Sequence, residues 1–317
     1  MFRSVCGDLP ADKLGYCQVH EHLYVHTPFL EKALPQSVIS QYESSLAELG
    51  IYREAGGDSL VDAQPVGAGR QAGLLERMSR VSRVNIIAVT GYHLPRFYPS
   101  NHWIFEASEA RLADLFYDEL ESGAYLDGML DWPTEKSSIR AGLVKAAMDG
   151  QGLTAHTRRV LGAAGKAAVR QHAALMLHTE KGLFAEEAID FLGHMGLDPE
   201  RIIICHADRD LTDFDNHVRI AKTGAFLEYD TIARPQYHPA ADEISHIMRM
   251  LDGGFASCMM LSLDVTASRM HSYGGQVGLD FLHRVFWPQL FQAGLCAEDY
   301  HQMAILNPRH AIAIGVN

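Results

Sequence analysis

Eight short apolar stretches, each followed by a segment of helical periodicity, run through nearly the whole chain. Strands that alternate with helices form a parallel sheet covered by helices, and eight such units favour a closed barrel over an open sheet. The predicted strands are residues 15–22, 59–64, 85–90, 140–145, 174–178, 201–206, 225–230 and 257–264. The predicted helices are residues 37–55, 73–83, 106–122, 154–172, 183–195, 214–222, 242–251, 279–292 and 298–307.

The chain is therefore predicted to be a single α/β domain, a (β/α)8 TIM barrel that spans residues 1–317. A short lead-in, residues 1–14, precedes the first strand. Residues 123–138 contain Gly, Pro and mixed charge, and we expect an irregular excursion there. No change in composition marks a linker between domains.

Composition limits the partners of the protein. The hydrophobic content of 47% and charged content of 21% are typical of a soluble globular protein with a large core. The net charge of −12 argues against a nucleic acid or an anionic membrane as a partner. No apolar run approaches the roughly 20 residues that span a bilayer, and the N-terminus lacks the apolar core of a signal peptide. We therefore expect a cytoplasmic protein. The five cysteines form no C-x-x-C pair, so neither a disulfide framework nor a zinc finger is indicated.

Two histidines one residue apart end the first predicted strand. Residues i and i+2 of a strand point to the same side, so His20 and His22 share a face while Glu21 turns away. Two imidazoles fixed on one face make half of a metal site. Other residues at strand ends must supply the second half.

The ends of the other predicted strands carry the same kind of residue. In parallel α/β folds the chemistry is placed at the carboxyl ends of the strands, where the βα loops gather. Six residues at or near these strand ends form a candidate set, and all of them except Lys145 are ordinary metal ligands. The predicted metal ligands are His20, His22, Lys145, His178, His206 and Asp264.

Lys145 is the unusual member of this set. A buried amine is favoured in its neutral form, and a neutral amine can react with carbon dioxide to form a carbamate. A carbamate is an anionic oxygen ligand that can bridge two cations about 3.5–4 Å apart. The alternative is a lysine that caps the strand or pairs with a nearby acid.

With these motifs the chain resembles the phosphotriesterase-like branch of the amidohydrolase superfamily, in particular the phosphotriesterase-homology proteins and phospho-sugar lactonases. The resemblance covers nearly the whole chain and departs from the family in the residues after Lys145 and in a long segment around residues 126–138. The motifs that carry it are His20-Glu21-His22, Thr90-Gly91-Tyr92, Leu177-His178-Thr179, Cys205-His206-Ala207-Asp208, Tyr229-Asp230-Thr231-Ile232, Ser262-Leu263-Asp264-Val265-Thr266 and a late run over residues 274–290.

The resemblance implies a site with two divalent metal ions. It implies that His20, His22 and Asp264 bind the more buried ion, that His178 and His206 bind the more exposed ion, and that carboxylated Lys145 bridges both. Zinc is the expected metal, with Mn²⁺, Co²⁺ or Fe²⁺ as alternatives. Such ions lower the pKa of a bridging water toward about 7 and so generate hydroxide. As a hypothesis, Asp264 takes the proton of the attacking hydroxide, and Asp208 either relays it or is a plain loop aspartate.

Cations and aromatic residues in the predicted loops suggest an anionic small-molecule substrate. The resemblance favours a lactonase for a phosphorylated-sugar or similar lactone. A phosphotriesterase, a carboxylesterase or an N-acyl deacylase on the same metals is the alternative, and a non-catalytic metal-containing binding protein is a further one. Homodimers are common in the resembled family. The candidate substrate-binding residues are Tyr92, Arg96, Tyr98, Lys181, Arg234, Tyr237, Arg269 and Tyr273, with His93, His238 and His271 beside them.

Overall fold

The computed structural model describes residues 1–315 and contains a barrel of eight parallel strands. A small antiparallel hairpin, β1 (Phe2–Ser4) and β2 (Gly7–Leu9), precedes the barrel. The barrel strands are β3 (Cys17–Glu21), β4 (Ser59–Asp62), β5 (Asn85–Gly91), β6 (Leu143–Ala147), β7 (Leu175–His178), β8 (Ile202–Cys205), β9 (Phe226–Tyr229) and β10 (Met259–Leu261).

The strands pair in chain order, and a side chain closes the remaining gap. Between the first and last strands, Ser262 Oγ accepts hydrogen bonds from the main-chain N–H groups of Val19 at 2.8 Å and His20 at 3.0 Å. The nearly closed sheet with helices between its strands confirms the predicted (β/α)8 TIM barrel in a single domain.

Helices cover the outside of the sheet. They are α1 (Pro28–Ala33), α2 (Tyr42–Glu54), α3 (Ala72–Ser82), α4 (Glu109–Glu121), α5 (Ala155–Gln171), α6 (Ala185–Gly193), α7 (Phe214–Lys222), α8 (Ala240–Asp252), α9 (Trp287–Ala293), α10 (Ala297–His301) and α11 (Asn307–Ala311). Two π-helical turns, Leu282–Phe286 and Gln302–Leu306, lead into α9 and α11. Pro288 and Pro308 lie just after these turns, and a proline cannot donate to the carbonyl of the preceding turn.

Two strands differ from their predicted bounds in a way that matters for the site. Residues 140–142 precede β6, and the strand continues through Ala146 and Ala147, so Lys145 lies in mid-strand rather than at its end. The last strand stops at Leu261, and Asp264 lies in the following loop instead of closing the strand. Leu263 and Val265 of this loop pack into the core. Their alternating positions in the sequence therefore resemble the pattern of a strand.

The amino end of the barrel interior is apolar and is closed by residues from near both ends of the chain. Phe2, Leu14 and Ile312 pack with the inward side chains of the strands in one buried cluster, which includes Val19, Val61, Ile87, Val89, Leu143, Met176, Ile203 and Met260. Buried apolar residues fill this end, whereas the histidines at the strand ends lie at the other end.

The irregular segment 123–138 is fixed to the barrel by hydrogen bonds. Glu119, in a buried ion pair with Arg70, accepts a bond from the main-chain N–H of Tyr125 at 2.8 Å. The side chains of His102 and Trp103 both bond the Gly128 carbonyl, at 3.0 and 2.9 Å. Within residues 1–315, no helix is both long enough and apolar enough to cross a membrane.

Candidate metal centre and active site

A cavity of about 410 Å³ opens at the carboxyl ends of the strands. Its walls come from the ends of seven of the eight barrel strands and the loops that follow them, β6 being the exception. The polar and aromatic residues that line it are His20, His22, Gln36, Ser37, Gln64, His93, Arg96, Phe97, His178, Glu180, His206, Arg209, Arg234, Tyr237, Asp264 and Thr266.

Three side chains from the two ends of the sheet form the first ligand group. His22 Nε2 lies 3.2 Å from Asp264 Oδ1, and His20 Nε2 lies 3.7 Å from the same oxygen. Ligands at about 2.0–2.2 Å from a tetrahedral zinc ion are about 3.4 Å apart. The geometry and the donor set therefore fit a divalent metal ion.

A second pair of imidazoles lies beside this group. His206 Nε2 is 2.8 Å from His178 Nδ1, and the rings of His20 and His206 have centroids 4.9 Å apart. The structure thus brings five of the six predicted metal ligands to one cavity floor.

Lys145 lies below the floor and does not line the cavity. Its Nζ is fully buried, 3.2 Å from His20 Nε2 and 3.4 Å from Met176 Sδ. In residues 1–315 no carboxylate oxygen lies within 4.0 Å of this amine. The backbone of Gly91 packs so closely on the Lys145 carbonyl that a Cβ at Gly91 would collide with it. This environment therefore offers no counter-charge to an ammonium at Lys145, and an ammonium buried without one is costly.

One buried carboxylate orients histidines of both groups. Asp230 Oδ2 lies 2.8 Å from His20 Nδ1, and Asp230 Oδ1 lies 2.6 Å from His206 Nδ1. A carboxylate that accepts from one ring nitrogen fixes the tautomer and directs the other nitrogen, as around bound metals in general. Asp230 therefore aims the Nε2 atoms of His20 and His206 at the cavity.

Two of the predicted ligands are held in a left-handed backbone conformation, with φ of +62° at His206 and +46° at Asp264. Such a conformation costs of order 1–3 kcal/mol in a residue other than glycine and persists only where the surroundings impose it. Here Glu21 accepts hydrogen bonds from the N–H groups of Leu263 at 2.8 Å and Val265 at 3.1 Å, on either side of Asp264. Glu21 thus positions the loop that carries Asp264.

The protonation states match those that metal binding requires. Burial lowers the pKa of His20 and His206 well below the usual value for histidine, and it lowers the pKa of His178 to about 3. For Asp264 burial acts to raise the pKa, but the Arg234 guanidinium and the hydrogen bond from His22 hold it well below its usual range. Neutral imidazoles and an ionised carboxylate are the forms that bind metals.

Of the predicted substrate-binding residues, Arg96, Arg234 and Tyr237 line the cavity. Arg96 is exposed at the mouth and has no carboxylate within 4.0 Å among residues 1–315. Arg234 donates to the main-chain and side-chain oxygens of Asp264, the latter at 3.2 Å. Arg96 is thus the cation that remains free for a ligand.

The other predicted substrate-binding residues do not line the cavity. Tyr92 is buried in the core, and the Tyr98 hydroxyl accepts a bond from the His93 N–H at 2.8 Å. Tyr273 donates to the Gln41 carbonyl at 2.8 Å, and Arg269 donates to the carbonyls of Leu263 and Ile232. Lys181 lies in a separate surface groove, 3.8 Å from Asp210.

Asp208 also lies outside the cavity. It is fully buried, and its Oδ2 accepts a hydrogen bond from the Thr231 N–H at 2.6 Å. Three site residues were missed from the sequence, namely Asp230, Glu180 and Arg209. Asp230 ends a predicted strand, and Glu180 and Arg209 lie just beyond the ends of two others, and this position was the only available signal. Arg209 contacts Glu180 at 3.2 Å and Asp264 at 3.8 Å, and so adds positive charge beside the ligands.

Comparison with known proteins places this barrel among hydrolases. The family model of the Phosphotriesterase family matches residues 1–312. The chain belongs to the phosphotriesterase family. Its position in this family makes it a hydrolase with an amidohydrolase-type fold, as the sequence predicted.

Individual relatives of the family match over almost their whole length. The chain is 27% identical over 299 residues to a phosphotriesterase homology protein of Escherichia coli strain K12, covering 94% of this chain and 97% of the relative. It is 26% identical over 324 residues to a phospho-furanose lactonase of Mycoplasmopsis synoviae strain 53, covering 98% and 91%. The crystal structure of the Escherichia coli protein, complexed with phosphate in its active site, superposes with a TM-score of 0.85 at 27% identity, covering 95% of this chain and 100% of that one.

Proposed function

We propose that this protein is a metal-dependent lactonase that opens an anionic lactone, such as a phosphorylated sugar lactone, in the cavity at the carboxyl end of the barrel. The observation that carries the proposal is the convergence of His20, His22, His178, His206 and Asp264 on that cavity above buried Lys145. The similarity to a phospho-furanose lactonase supports the lactone as substrate class.

The proposal assigns two divalent cations to these residues, zinc first and Mn²⁺, Co²⁺ or Fe²⁺ as alternatives. His20, His22 and Asp264 would hold one cation, His178 and His206 the other, and carboxylated Lys145 would bridge them. When bound, divalent cations supply an acidified water and polarise the scissile carbonyl.

The chain's own part in the reaction centres on Asp264. Its ionised carboxylate is placed to take the proton of the attacking water and to return a proton to the ring oxygen as the lactone opens to a hydroxy acid. Arg234 and Arg209, which contact Asp264, keep the carboxylate ionised between turnovers. Asp208 does not line the cavity, so the structure shows no direct path for a proton from Asp264 to Asp208. A proton relay through Asp208 stays a prediction.

Recognition of an anionic group falls to the arginines at the mouth. Arg96 is exposed and pairs with no carboxylate among residues 1–315, whereas Arg209 and Arg234 pair with Glu180 and Asp264. A fork of N–H donors binds phosphate or carboxylate oxygens in a defined orientation. The stacked rings of His93 and Phe97, 3.7 Å between centroids, offer a flat apolar wall for the rest of the substrate.

The experiment is a comparison of kcat/KM over a substrate panel with the zinc-loaded protein. The panel contains phosphorylated five- and six-membered sugar lactones, their unphosphorylated counterparts, an aryl ester, a phosphotriester and an N-acyl amino acid. We expect the phosphorylated lactones to lead by at least tenfold. A lead for the phosphotriester, the ester or the N-acyl amino acid would replace the proposal with that activity. Bound metal without turnover of any member would favour a binding protein.

A further inference from the structure

A second group of ligand-type side chains lies outside the cavity. Asp208, in the turn after β8, approaches His238 and Glu243, which lie in the loop after β9 and at the start of α8. One potential ligand atom from each lies within 4.8 Å of the other two. The group is buried, since Asp208 is inaccessible, Glu243 is 1% exposed and the His238 side chain is 8% exposed.

The polar atoms of this group have few partners. Among residues 1–315, no N–H or O–H group donates to Asp208 Oδ1 or to either carboxylate oxygen of Glu243, and His238 Nε2 also lacks a partner. The Thr231 hydroxyl lies beside Asp208, and a proton held on Glu243 would bond the Asp208 carboxylate. Buried polar atoms normally have a partner, because one without a partner destabilises the fold. Even with that proton in place, His238 Nε2 and one Glu243 oxygen would have no partner, and a bound cation would satisfy both.

The charge of the group is also uncompensated. No Lys or Arg nitrogen lies within 4.0 Å of the Asp208 or Glu243 carboxylates in the chain from residue 1 to 315. His238 Nδ1 approaches Glu243 Oε2 only to 3.8 Å. Arg269, whose charge acts on Glu243, donates instead to main-chain carbonyls. One shared proton would satisfy a single pair of oxygens, whereas a multiply coordinated cation can satisfy several of these atoms together.

We propose that Asp208, His238 and Glu243 bind a divalent cation of the zinc and manganese class, at a site separate from the cavity. One imidazole and two carboxylates are ligands that these metals accept, and three protein ligands leave positions for water. His238 also lines an open surface groove of about 630 Å³, which gives the cation and its waters a route from solvent.

The site would fix one particular loop. The loop between β9 and α8 carries Arg234 and Tyr237, which line the cavity, and His238 follows Tyr237 directly. A cation held jointly by this loop, by α8 and by the turn after β8 ties these three segments together. Its loss is expected to loosen the cavity wall while leaving the cavity ligands in place.

The test is metal content at equilibrium. Chelator-treated protein is dialysed against Zn²⁺, and separately against Mn²⁺, and metal per chain is measured by plasma mass spectrometry. We expect Glu243→Gln and His238→Gln each to bind one equivalent less than the wild type. Asp242→Asn removes an exposed carboxylate one position away and is expected to match the wild type. The test compares metal per chain between wild type and variant. Its outcome therefore does not depend on how many ions the cavity binds or on which reaction the cavity catalyses.

A crystal grown with Zn²⁺ and measured at the zinc absorption edge gives a second readout that needs no variant. An anomalous peak between Asp208, His238 and Glu243 is the expected result. Equal metal content in wild type and folded variants would overturn the proposal. So would the absence of an anomalous peak, whether the position holds water or nothing.

Discussion

The two ends of the barrel are built from opposite kinds of side chain carried by the same strands. β7 runs from Met176, in the apolar interior, to His178 in the cavity, and the chain passes from Ile203 in β8 to His206 just beyond it. At the amino end, Phe2 and Ile312 close the barrel with buried apolar contacts. At the carboxyl end, histidines, arginines and Asp264 face open space.

One end of the sheet therefore mainly stabilises the fold, and the other end carries the residues of the candidate site. Burial of apolar surface at the amino end supplies stabilisation that does not depend on any bound group. The carboxyl end carries buried carboxylates, residues in a left-handed backbone conformation and neutral histidines. Such features lower the stability of the fold, and they are typical of sites that bind or catalyse. Substitutions at the two ends should therefore separate activity from stability.

The largest expected effect is on activity, from Asp264→Asn at the carboxyl end. Loss of the proton acceptor is expected to lower kcat/KM for the best lactone by about 10²–10⁴-fold, the range of general acid–base catalysis. Circular dichroism should remain that of the wild type. Asp242→Asn, an exposed carboxylate on α8, serves as the control and should keep full activity. Activity of Asp264→Asn within threefold of the wild type would remove Asp264 from the mechanism.

The reverse pattern is expected from Phe2→Ala at the amino end. Phe2 is 1% exposed, and truncation of a buried phenylalanine lowers the free energy of unfolding by about 3–5 kcal/mol. Urea denaturation measures the loss, while kcat/KM at a temperature where the variant is folded should stay within twofold. Phe291→Ala, at a 43% exposed position, should cost under about 1 kcal/mol. A large loss of activity in folded Phe2→Ala would show that the two ends are coupled.

A smaller effect tests which cations of the carboxyl end face the substrate. Arg96→Met is expected to lower kcat/KM about tenfold or more for an anionic lactone, because a hydrogen bond to a charged group contributes about 1.5–3 kcal/mol. The rate on the uncharged lactone should barely change. Lys181→Met, in the neighbouring groove, should change neither rate by more than twofold. If Lys181→Met gave the selective loss instead, the anion would bind in the groove.

The last substitution concerns His102, which lies in the loop after β5, outside the cavity, and holds segment 123–138. Burial lowers the pKa of His102 to about 4, although its bond to the Gly128 carbonyl acts to raise it. Between pH about 6.5 and about 4 the unfolded chain binds a proton at this residue that the folded chain does not, so stability falls as pH decreases. Tm measured at pH 7.5 and 5.0 should therefore drop less in His102→Gln than in the wild type. An equal drop would contradict the assignment.

The barrel could be predicted because the alternation of apolar runs and helices is a one-dimensional signal. His20, His178 and His206 end such runs, so their shared end of the sheet follows from strand direction alone. Lys145 was misplaced within its strand because Ala146 and Ala147 are weakly apolar and mark no boundary. The sequence carries no local pattern for loop conformation or long-range hydrogen bonds. It therefore could not show that Asp230 orients His20 and His206, or that Arg96 lines the cavity while Arg269 does not.

We propose that the polar end of the barrel is a metal-dependent lactonase site. The most direct test follows the opening of a phosphorylated sugar lactone by one preparation before chelation, after chelation and after stepwise addition of zinc. We expect hydrolysis to disappear on chelation and to return as the cavity ligands are refilled, with no recovery in Asp264→Asn. Undiminished hydrolysis by the chelated protein, or none by the zinc-loaded protein, would contradict the account.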